Sequence, residues 1–216
     1  MLVFFPVTKR GKAVIWGPME WVFILASYLL GCLPTGVLVA RAMGGSDPRL
    51  AGSGNIGTTN VLRTLGKKAA IITLLGDLGK GLIPVLAARA FFADASLVPY
   101  FAAGAAILGH DFSFLLGFKG GKGVATTFGT LLALSLPIAL LCLATWLAAV
   151  FLTRYSSAGA LSAAAACPLF SLFLGGPARM TLFCGAAAAL LWIQHRKNLI
   201  RIMDGTENRL QKPGSM

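Results

Sequence analysis

The sequence predicts an all-α integral membrane protein with seven transmembrane helices, several of them short. Hydrophobic residues make up 56% of the 216 residues, and only 12% are charged. A soluble domain of this size needs more charge to cover its surface, whereas long apolar runs with few charges are typical of membrane spans. No linker divides the chain. We therefore expect one membrane domain over residues 19–216, preceded by an N-terminal extension of unclear role, residues 1–18.

Each predicted span is an apolar run close to the roughly 20 residues that a helix needs to cross a bilayer. The runs are residues 21–40, 69–92, 97–118, 124–152, 158–174 and 181–193. The fourth run has a length that suits one tilted helix. We interpret it as a hairpin that turns at Pro137, because proline ends a helix by clashing with the preceding turn. The hairpin gives seven crossings.

Lysine and arginine residues support this hairpin, because it brings most of them to one side of the membrane. That side holds 13 of the 19: Arg41, Arg49, Arg63, Lys67, Lys68, Lys119, Lys122, Arg154, Arg196, Lys197, Arg201, Arg209 and Lys212. The positive-inside rule makes this side cytoplasmic and places the N-terminus outside. Lys9, Arg10 and Lys12 would then lie outside, and we leave open whether these charges are tolerated or the start of the chain is misassigned.

The first cytoplasmic loop contains GSGNIGTTNVLR, residues 52–63. Its three glycines allow backbone angles that point several N–H groups at one anion. Ser53, Thr58 and Thr59 add hydroxyl donors, and Arg63 adds a planar fork that suits phosphate. We interpret the segment as a phosphate-binding loop, with a flexible surface loop as the alternative.

The second cytoplasmic loop contains GFKGGKGVATT, residues 117–127, and opens a predicted helix. The free N–H groups and the dipole at a helix start favour an anion. The nucleotide P-loop requires four residues between its first glycine and Gly-Lys, followed by Ser or Thr. Here three residues separate Gly117 from Gly121-Lys122, and Gly123 follows. The pattern therefore predicts a phosphate site without a nucleotide.

The C-terminal segment HRKNLIRIMDGTE, residues 195–207, alternates apolar and charged residues, so it can lie along the membrane surface. His195 and Asn198 are three residues apart and share one helical face. Anchoring to lipid requires neither side chain, so we favour a site role for both. Within the spans, Asp77 and Lys80 are spaced to pair, and we favour a structural role for His110 in orienting the glycine loop.

These three segments, with GHD at residues 109–111 ahead of the second, resemble the bacterial acyl-phosphate:glycerol-3-phosphate acyltransferases of the PlsY type. The resemblance covers nearly the whole chain from Met19, with the same order and spacing of motifs. The departures are the N-terminal residues, Thr58 where alanine is commoner, and Lys197 where an acid is common.

The resemblance implies an enzyme of the bacterial cytoplasmic (inner) membrane, with its active-site loops and C-terminus cytoplasmic. It would transfer a fatty acyl group from long-chain acyl phosphate to the 1-hydroxyl of sn-glycerol 3-phosphate, giving lysophosphatidic acid and phosphate in phospholipid synthesis. No metal or other cofactor and no nucleic acid partner is expected. A monomer is one expectation for the oligomeric state.

The resemblance also assigns the site residues. Ser53, Arg63 and Lys122 would bind the glycerol phosphate. The amides of Gly120 and Gly121, with Thr59 and Ser157, would steady the acyl phosphate, and His195 and Asn198 would orient the attacking hydroxyl. Gly54, Asn55 and Asn60 complete the expected substrate-binding set.

Two other functions remain open on the residues. A membrane phosphate or organophosphate transporter is the main alternative, although transporters often carry internal repeats and none is clear here. An acyl-CoA-dependent acyltransferase commonly has His and Asp separated by four residues, but Leu115 and Ile200 stand at the required positions after His110 and His195. The four cysteines lie in apolar runs and are expected to be small buried hydrophobic residues.

Overall fold

A computed structural model describes residues 16–92 and 96–210 of the chain. Within these ranges the regular structure is entirely helical. The α-helices are α1 (Pro18–Gly31), α2 (Thr35–Ala42), α3 (Thr58–Phe91), α4 (Val98–Asp111), α5 (Val124–Leu134), α6 (Leu136–Thr153), α7 (Ser156–Phe173), α8 (Ala178–Gln194) and α9 (Arg196–Met203). The predictions for Lys9, Arg10, Lys12, Lys212 and residues 1–15 lie outside the described residues.

Three of the described helices, α3, α6 and α7, are long and apolar enough to cross a membrane. Helices α1 and α2 pass the same test together and are bent by 45°, which adds a fourth. This pair corresponds to the first predicted span, broken just before Pro34. Helices α5 and α8 are shorter apolar helices. At about 1.5 Å per residue, the 11 residues of α5 extend only about 16 Å, well short of a hydrocarbon core of about 30 Å.

Two predicted spans differ in their bounds. Helix α3 begins at Thr58 rather than residue 69, and Gly66 interrupts its helical dihedral angles with φ 84°. The third span is too long as predicted, because α4 ends at Asp111 and a 3-10 turn follows over Phe114–Leu116. Gly117 then adopts a left-handed conformation at φ 60°, which favours glycine. The residues after Asp111 therefore form a loop and not a membrane span.

The stretch over residues 124–152 reverses direction, as the hairpin interpretation requires. Helix is broken at Ser135, two residues before Pro137. Lys122, just before the stretch, bonds to Asn198, and Ser157, just after it, bonds to Glu207, which in turn accepts a bond from Asn198. Because one hydrogen-bond cluster joins both ends, the chain leaves and returns to the same end of the helix bundle.

Helix crossings in the bundle depend on glycine. A Cβ at Gly81 of α3 would lie 2.1 Å from the carbonyl oxygen of Thr126 in α5, and one at Gly129 would lie 2.2 Å from that of Leu78. Such contacts leave room for backbone against backbone only. Small residues at helix interfaces are typical of membrane bundles, where packing rather than the hydrophobic effect drives association. The crossing of α3 and α5 positions the glycine loop that precedes α5.

A buried polar cluster joins α2, α3 and α4. Asp77 and Lys80 form the predicted pair, with 2.9 Å between Asp77 Oδ1 and Lys80 Nζ. The Thr35 hydroxyl donates to Asp77, and His110 Nδ1 lies 3.6 Å from the same carboxylate. Each charge in this cluster has a partner of opposite sign or a hydrogen bond, which is how ionisable groups persist within membrane spans.

Candidate active site

The first glycine loop is organised around Asn60, which is 2% exposed at the start of α3. Its amide donates to the carbonyl oxygens of Pro48 at 2.8 Å, Ala51 at 3.1 Å and Asn55 at 2.9 Å. Its Oδ1 accepts from the backbone N–H of Ser53 at 2.8 Å. We expected Asn60 to contact substrate, but its side chain is fully engaged by the loop itself. Its role here is to shape the loop that carries Ser53.

The second glycine loop is held by His110 and Asp111 at the end of α4. The N–H groups of Gly120 and Gly121 donate to the carbonyl oxygens of Asp111 at 3.1 Å and of His110 at 2.9 Å. A Cβ at Gly121 would lie 1.9 Å from His110 Nε2. We expected these two amides to bind acyl phosphate, but backbone carbonyls already accept both N–H groups in this structure. The expected contact between His110 and the loop is present.

Lys122 projects from this loop toward the C-terminal segment. Its ammonium donates to Asn198 Oδ1 at 2.6 Å, and Asn198 Nδ2 donates to Glu207 Oε1 at 2.7 Å. The Ser157 hydroxyl donates to the same Glu207 oxygen at 2.8 Å, and Arg201 Nε donates to Oε2 at 2.7 Å. One carboxylate thus joins groups from α7 and α9, and Asn198 links it to Lys122 of the second loop.

Charge and burial set the protonation states of this cluster. Burial lowers the pKa of Lys122 to about 8, and the nearby Arg201 and Arg63 charges act in the same direction, against Glu207. Burial alone would raise the pKa of the Glu207 carboxyl, but hydrogen bonds from Arg201, Asn198 and Ser157 outweigh it and lower the value. At neutral pH the cluster therefore holds three cations around one carboxylate.

His195 directly follows the last residue of α8 and is 4% exposed. Its Nδ1 lies 2.8 Å from the carbonyl oxygen of Leu191. A carbonyl oxygen only accepts, so Nδ1 carries the proton and Nε2 of the neutral ring is an acceptor. Burial lowers the pKa of His195 to about 4, and the Lys122 charge contributes in the same direction. The ring is therefore neutral at physiological pH.

Two neighbouring chambers share residues of this cluster in their walls. The larger has a volume of about 430 Å³ and extends from the polar end between α3, α5, α6, α7 and α8. The smaller, of about 220 Å³, is mainly polar and is bordered by Gln194, Arg196 and Lys197. Ser53, Asn55, Lys122 and Arg201 line both. The arrangement offers one polar compartment for an anionic group and one long apolar compartment, with cations between them.

The structure brings together nearly all of the expected site residues. Eleven of the twelve line one or both chambers: Ser53, Gly54, Asn55, Thr59, Asn60, Arg63, Gly121, Lys122, Ser157, His195 and Asn198. Gly120 lines neither. Sequence reasoning assigned no role to Glu207, Arg201 or Ser156, whose hydroxyl lies 3.1 Å from that of Thr59. The signal for Glu207 was an acidic residue that ends a segment in which His195, Arg196, Lys197 and Arg201 come first.

The fold and the site define a helical membrane protein with a polar chamber lined by cations at one end of the bundle. The profile of the family described as glycerol-3-phosphate acyltransferase matches residues 21–205. The chain therefore belongs to the glycerol-3-phosphate acyltransferase family, and the predicted family is confirmed.

Individual members of this family are also similar to the chain in sequence. The glycerol-3-phosphate acyltransferase of Rhodospirillum rubrum is 49% identical over 192 residues, covering 86% of this chain and 88% of the relative. The glycerol-3-phosphate acyltransferase of Geobacter sulfurreducens is 48% identical over 199 residues, covering 89% of this chain and 98% of the relative.

Two solved structures are similar to this one. Both are crystal structures of PlsY, an integral membrane glycerol 3-phosphate acyltransferase. Its glycerol 3-phosphate form has a TM-score of 0.85 and 37% identity, and its lysophosphatidic acid form has a TM-score of 0.84 and 36% identity. Each comparison covers 89% of this chain and 96% of the other.

Proposed function

We propose that this protein transfers a fatty acyl group from a long-chain acyl phosphate to the 1-hydroxyl of sn-glycerol 3-phosphate. The products are lysophosphatidic acid and inorganic phosphate, and the reaction begins phospholipid synthesis. The observation that carries the proposal is the junction of a polar cationic chamber with a long apolar cavity at Lys122 and Arg201. A transporter does not require an acyl-sized cavity that shares its cations with a separate phosphate chamber.

The polar chamber suits glycerol 3-phosphate. Ser53 and Lys122 border it, and Arg201 lies between the chambers. Arg63 lines the larger cavity beside them and donates to the carbonyl oxygen of Asn208 at 3.0 Å. Arginine binds phosphate through two parallel N–H bonds, while lysine acts as a point charge. We retain Ser53, Arg63 and Lys122 as the glycerol phosphate ligands and add Arg201.

The large cavity suits the acyl phosphate. Its polar end carries the hydroxyls of Thr59, Ser156 and Ser157, and most of its wall is apolar. The Gly120 and Gly121 amides and the Ser157 hydroxyl already donate to other groups of the protein. The donors left for the acyl phosphate are the hydroxyls of Thr59 and Ser156 and the first-turn N–H groups of α5, which have no partner within their own helix. Thr59 thus keeps its proposed role, whereas Ser157 would donate to the acyl phosphate only by giving up its bond to Glu207.

The reaction needs little beyond positioning. The 1-hydroxyl oxygen attacks the acyl carbon, a C–O ester bond forms, and the anhydride C–O bond breaks as phosphate leaves with the electron pair. Phosphate is a good leaving group, so holding the reactants in place supplies much of the rate. Lys122 and the arginines neutralise the two phosphates, which otherwise repel each other.

His195 and Asn198 are proposed to orient the hydroxyl, and a substrate phosphate oxygen takes its proton. A neutral His195 with an acceptor Nε2 also allows a general base. A pH–rate profile of His195→Gln that matches wild type, at lower rate, is the result expected for positioning. Loss of an ionisation seen in wild type would instead establish the base.

The donor is tested directly with purified protein, sn-glycerol 3-phosphate and either palmitoyl phosphate or palmitoyl-CoA, measuring phosphate and lysophosphatidic acid. We expect turnover with the acyl phosphate alone. Turnover with the thioester alone would move the protein to another acyltransferase class. Folded protein that is inactive with both donors, but moves organophosphate into vesicles, would establish the transporter alternative.

We also propose that the site faces the cytoplasm in the bacterial inner membrane, with the N-terminus outside and seven crossings. The support is the collection of cations at the site end of the bundle. Two exposed positions test this: Asp204→Cys at the site end, and Ala178→Cys at the first residue of α8, next to the connection from α7. A membrane-impermeant maleimide is expected to label Ala178→Cys in intact spheroplasts and Asp204→Cys only after permeabilisation. The reverse pattern would invert the topology.

A further inference from the structure

The large cavity ends at a cluster of three free cysteines contributed by three helices. Cys142 of α6, Cys167 of α7 and Cys184 of α8 all line it, and each is at most 5% exposed. The three cysteines belong to one cluster of buried hydrophobic residues. Cys142 Sγ also lies 3.8 Å from the carbonyl oxygen of Ala163.

The residues behind these cysteines close the cavity. Ile138 and Met180 are 2% and 3% exposed and pack in the same buried cluster. Phe183 and Tyr100 pack against this cluster, with their ring centroids 6.1 Å apart. Ile138, Met180, Phe183 and Tyr100 do not line the cavity. The thiols therefore form the last layer of the lining before a packed core.

Two helices place this layer at the same depth. On α7, Cys167 is ten residues beyond Ser157, and on α8, Cys184 is eleven residues before His195. At about 1.5 Å per residue, these separations are about 15 Å and about 16 Å. The agreement shows that the cavity has a defined depth below the polar site, measured along either wall.

We infer that Cys142, Cys167 and Cys184 form the floor of the acyl-chain cavity and set the longest acyl chain that the enzyme accepts. The inference rests on the proposed function, because it takes the cavity as the site of the donor's chain. Thiols suit a floor: a cysteine behaves as a small hydrophobic residue, so three of them leave room that branched side chains would fill.

The wall of α7 supplies a graded test. Ala164 lines the cavity about 4.5 Å above Cys167, by the rise of an α-helix. Ala164→Leu and Cys167→Leu fill the cavity at these two levels, and Ala165→Leu, on the exposed side of the same helix, is the matched control. The measurement is kcat/KM for saturated acyl phosphates from octanoyl to stearoyl, with sn-glycerol 3-phosphate in excess.

We expect the variants to shift the dependence of kcat/KM on acyl-chain length toward shorter chains, in the order of their depth in the cavity. The ratio of palmitoyl to decanoyl kcat/KM falls about tenfold or more in Cys167→Leu, because overfilling a packed site is strongly unfavourable. Ala164→Leu shifts the profile to still shorter chains, and Ala165→Leu keeps the wild-type ratio. Because each ratio compares two donors on the same preparation, partial loss of folded protein does not affect it.

Removing the thiols tests the floor in the opposite direction. A combined Cys142→Ala, Cys167→Ala and Cys184→Ala variant is expected to raise the stearoyl to palmitoyl ratio, whereas Cys32→Ala, a fully buried cysteine outside the cavity, leaves it unchanged. Wild-type profiles in all of these variants would overturn the inference and mean that the chain leaves sideways into the bilayer. Wild-type protein that uses no acyl phosphate of any length would overturn the proposed function and this inference with it.

Discussion

Glu207 is the residue whose importance only the structure reveals, and Glu207→Gln tests it with little change of shape. The carboxylate is 6% exposed and accepts three hydrogen bonds, from Ser157, Asn198 and Arg201. In glutamine one oxygen becomes an amide nitrogen. In either orientation that nitrogen faces at least one donor, and the full charge that attracts Arg201 is lost.

The magnitude follows from the bond to Arg201. A hydrogen bond to a charged group contributes about 1.5–3 kcal/mol, and each 1.36 kcal/mol of transition-state free energy is about tenfold in rate. Glu207→Gln is therefore expected to lower kcat/KM for glycerol 3-phosphate about 10- to 100-fold. Asp204→Asn, an exposed carboxylate on the same segment, is the control and is expected to stay near wild type.

The assay is steady-state release of phosphate from palmitoyl phosphate by purified protein whose thermal transition shows that it is folded. A folded Glu207→Gln enzyme within about twofold of wild-type kcat/KM would refute the reasoning, since about twofold corresponds to less than about 0.5 kcal/mol. Equal losses in Glu207→Gln and Asp204→Asn would show a general effect of negative charge rather than the geometry at Glu207.

Three further predictions follow from the loops. Because burial lowers the pKa of Lys122 to about 8, its ammonium is protonated below that pH and lost above it, so KM for glycerol 3-phosphate is expected to rise above about pH 8, and a KM that is flat to about pH 9.5 would contradict this. Gly121→Ala would place a methyl group 1.9 Å from His110 Nε2 and is expected to abolish activity and lower Tm, while Gly104→Ala, with nothing within 4 Å, keeps both near wild type. Asn60→Ala removes four hydrogen bonds to the first loop and is expected to lower Tm and raise KM together; an unchanged Tm would contradict its role in shaping the loop.

Features that depend on short stretches of chain were largely predictable from sequence. The reversal near Pro137 was predicted, because the charges on either side of residues 124–152 limit the topology. The bend of the first span at Pro34 was not, since that run is apolar and long enough for one straight helix. The Asp77–Lys80 pair followed from helical spacing. The motif residues were found because glycines, hydroxyls and cations cluster within each loop.

The sequence did not predict which hydrogen-bonding groups of the loops already have partners within the protein. The sequence of the second loop is compatible with anion-binding amides at Gly120 and Gly121, yet His110 and Asp111 occupy both. The amide of Asn60 could bind a substrate, yet both its nitrogen and its oxygen are hydrogen-bonded to backbone groups of the loop. A residue pattern shows which groups are present, whereas only the fold shows which of them already have partners.

Sequence alone therefore determined the membrane class and the family, and it predicted eleven residues that line the two chambers, because composition and local motifs carry that information. Tertiary structure decided the arrangement: Lys122 meets Asn198 across 76 residues, and Glu207 meets Ser157 across 50. It also decided the depth of the cavity, where cysteines from α6, α7 and α8 meet. The physical reason is that hydrogen-bond partnership and cavity shape depend on how distant helices pack, and no local pattern encodes those distances.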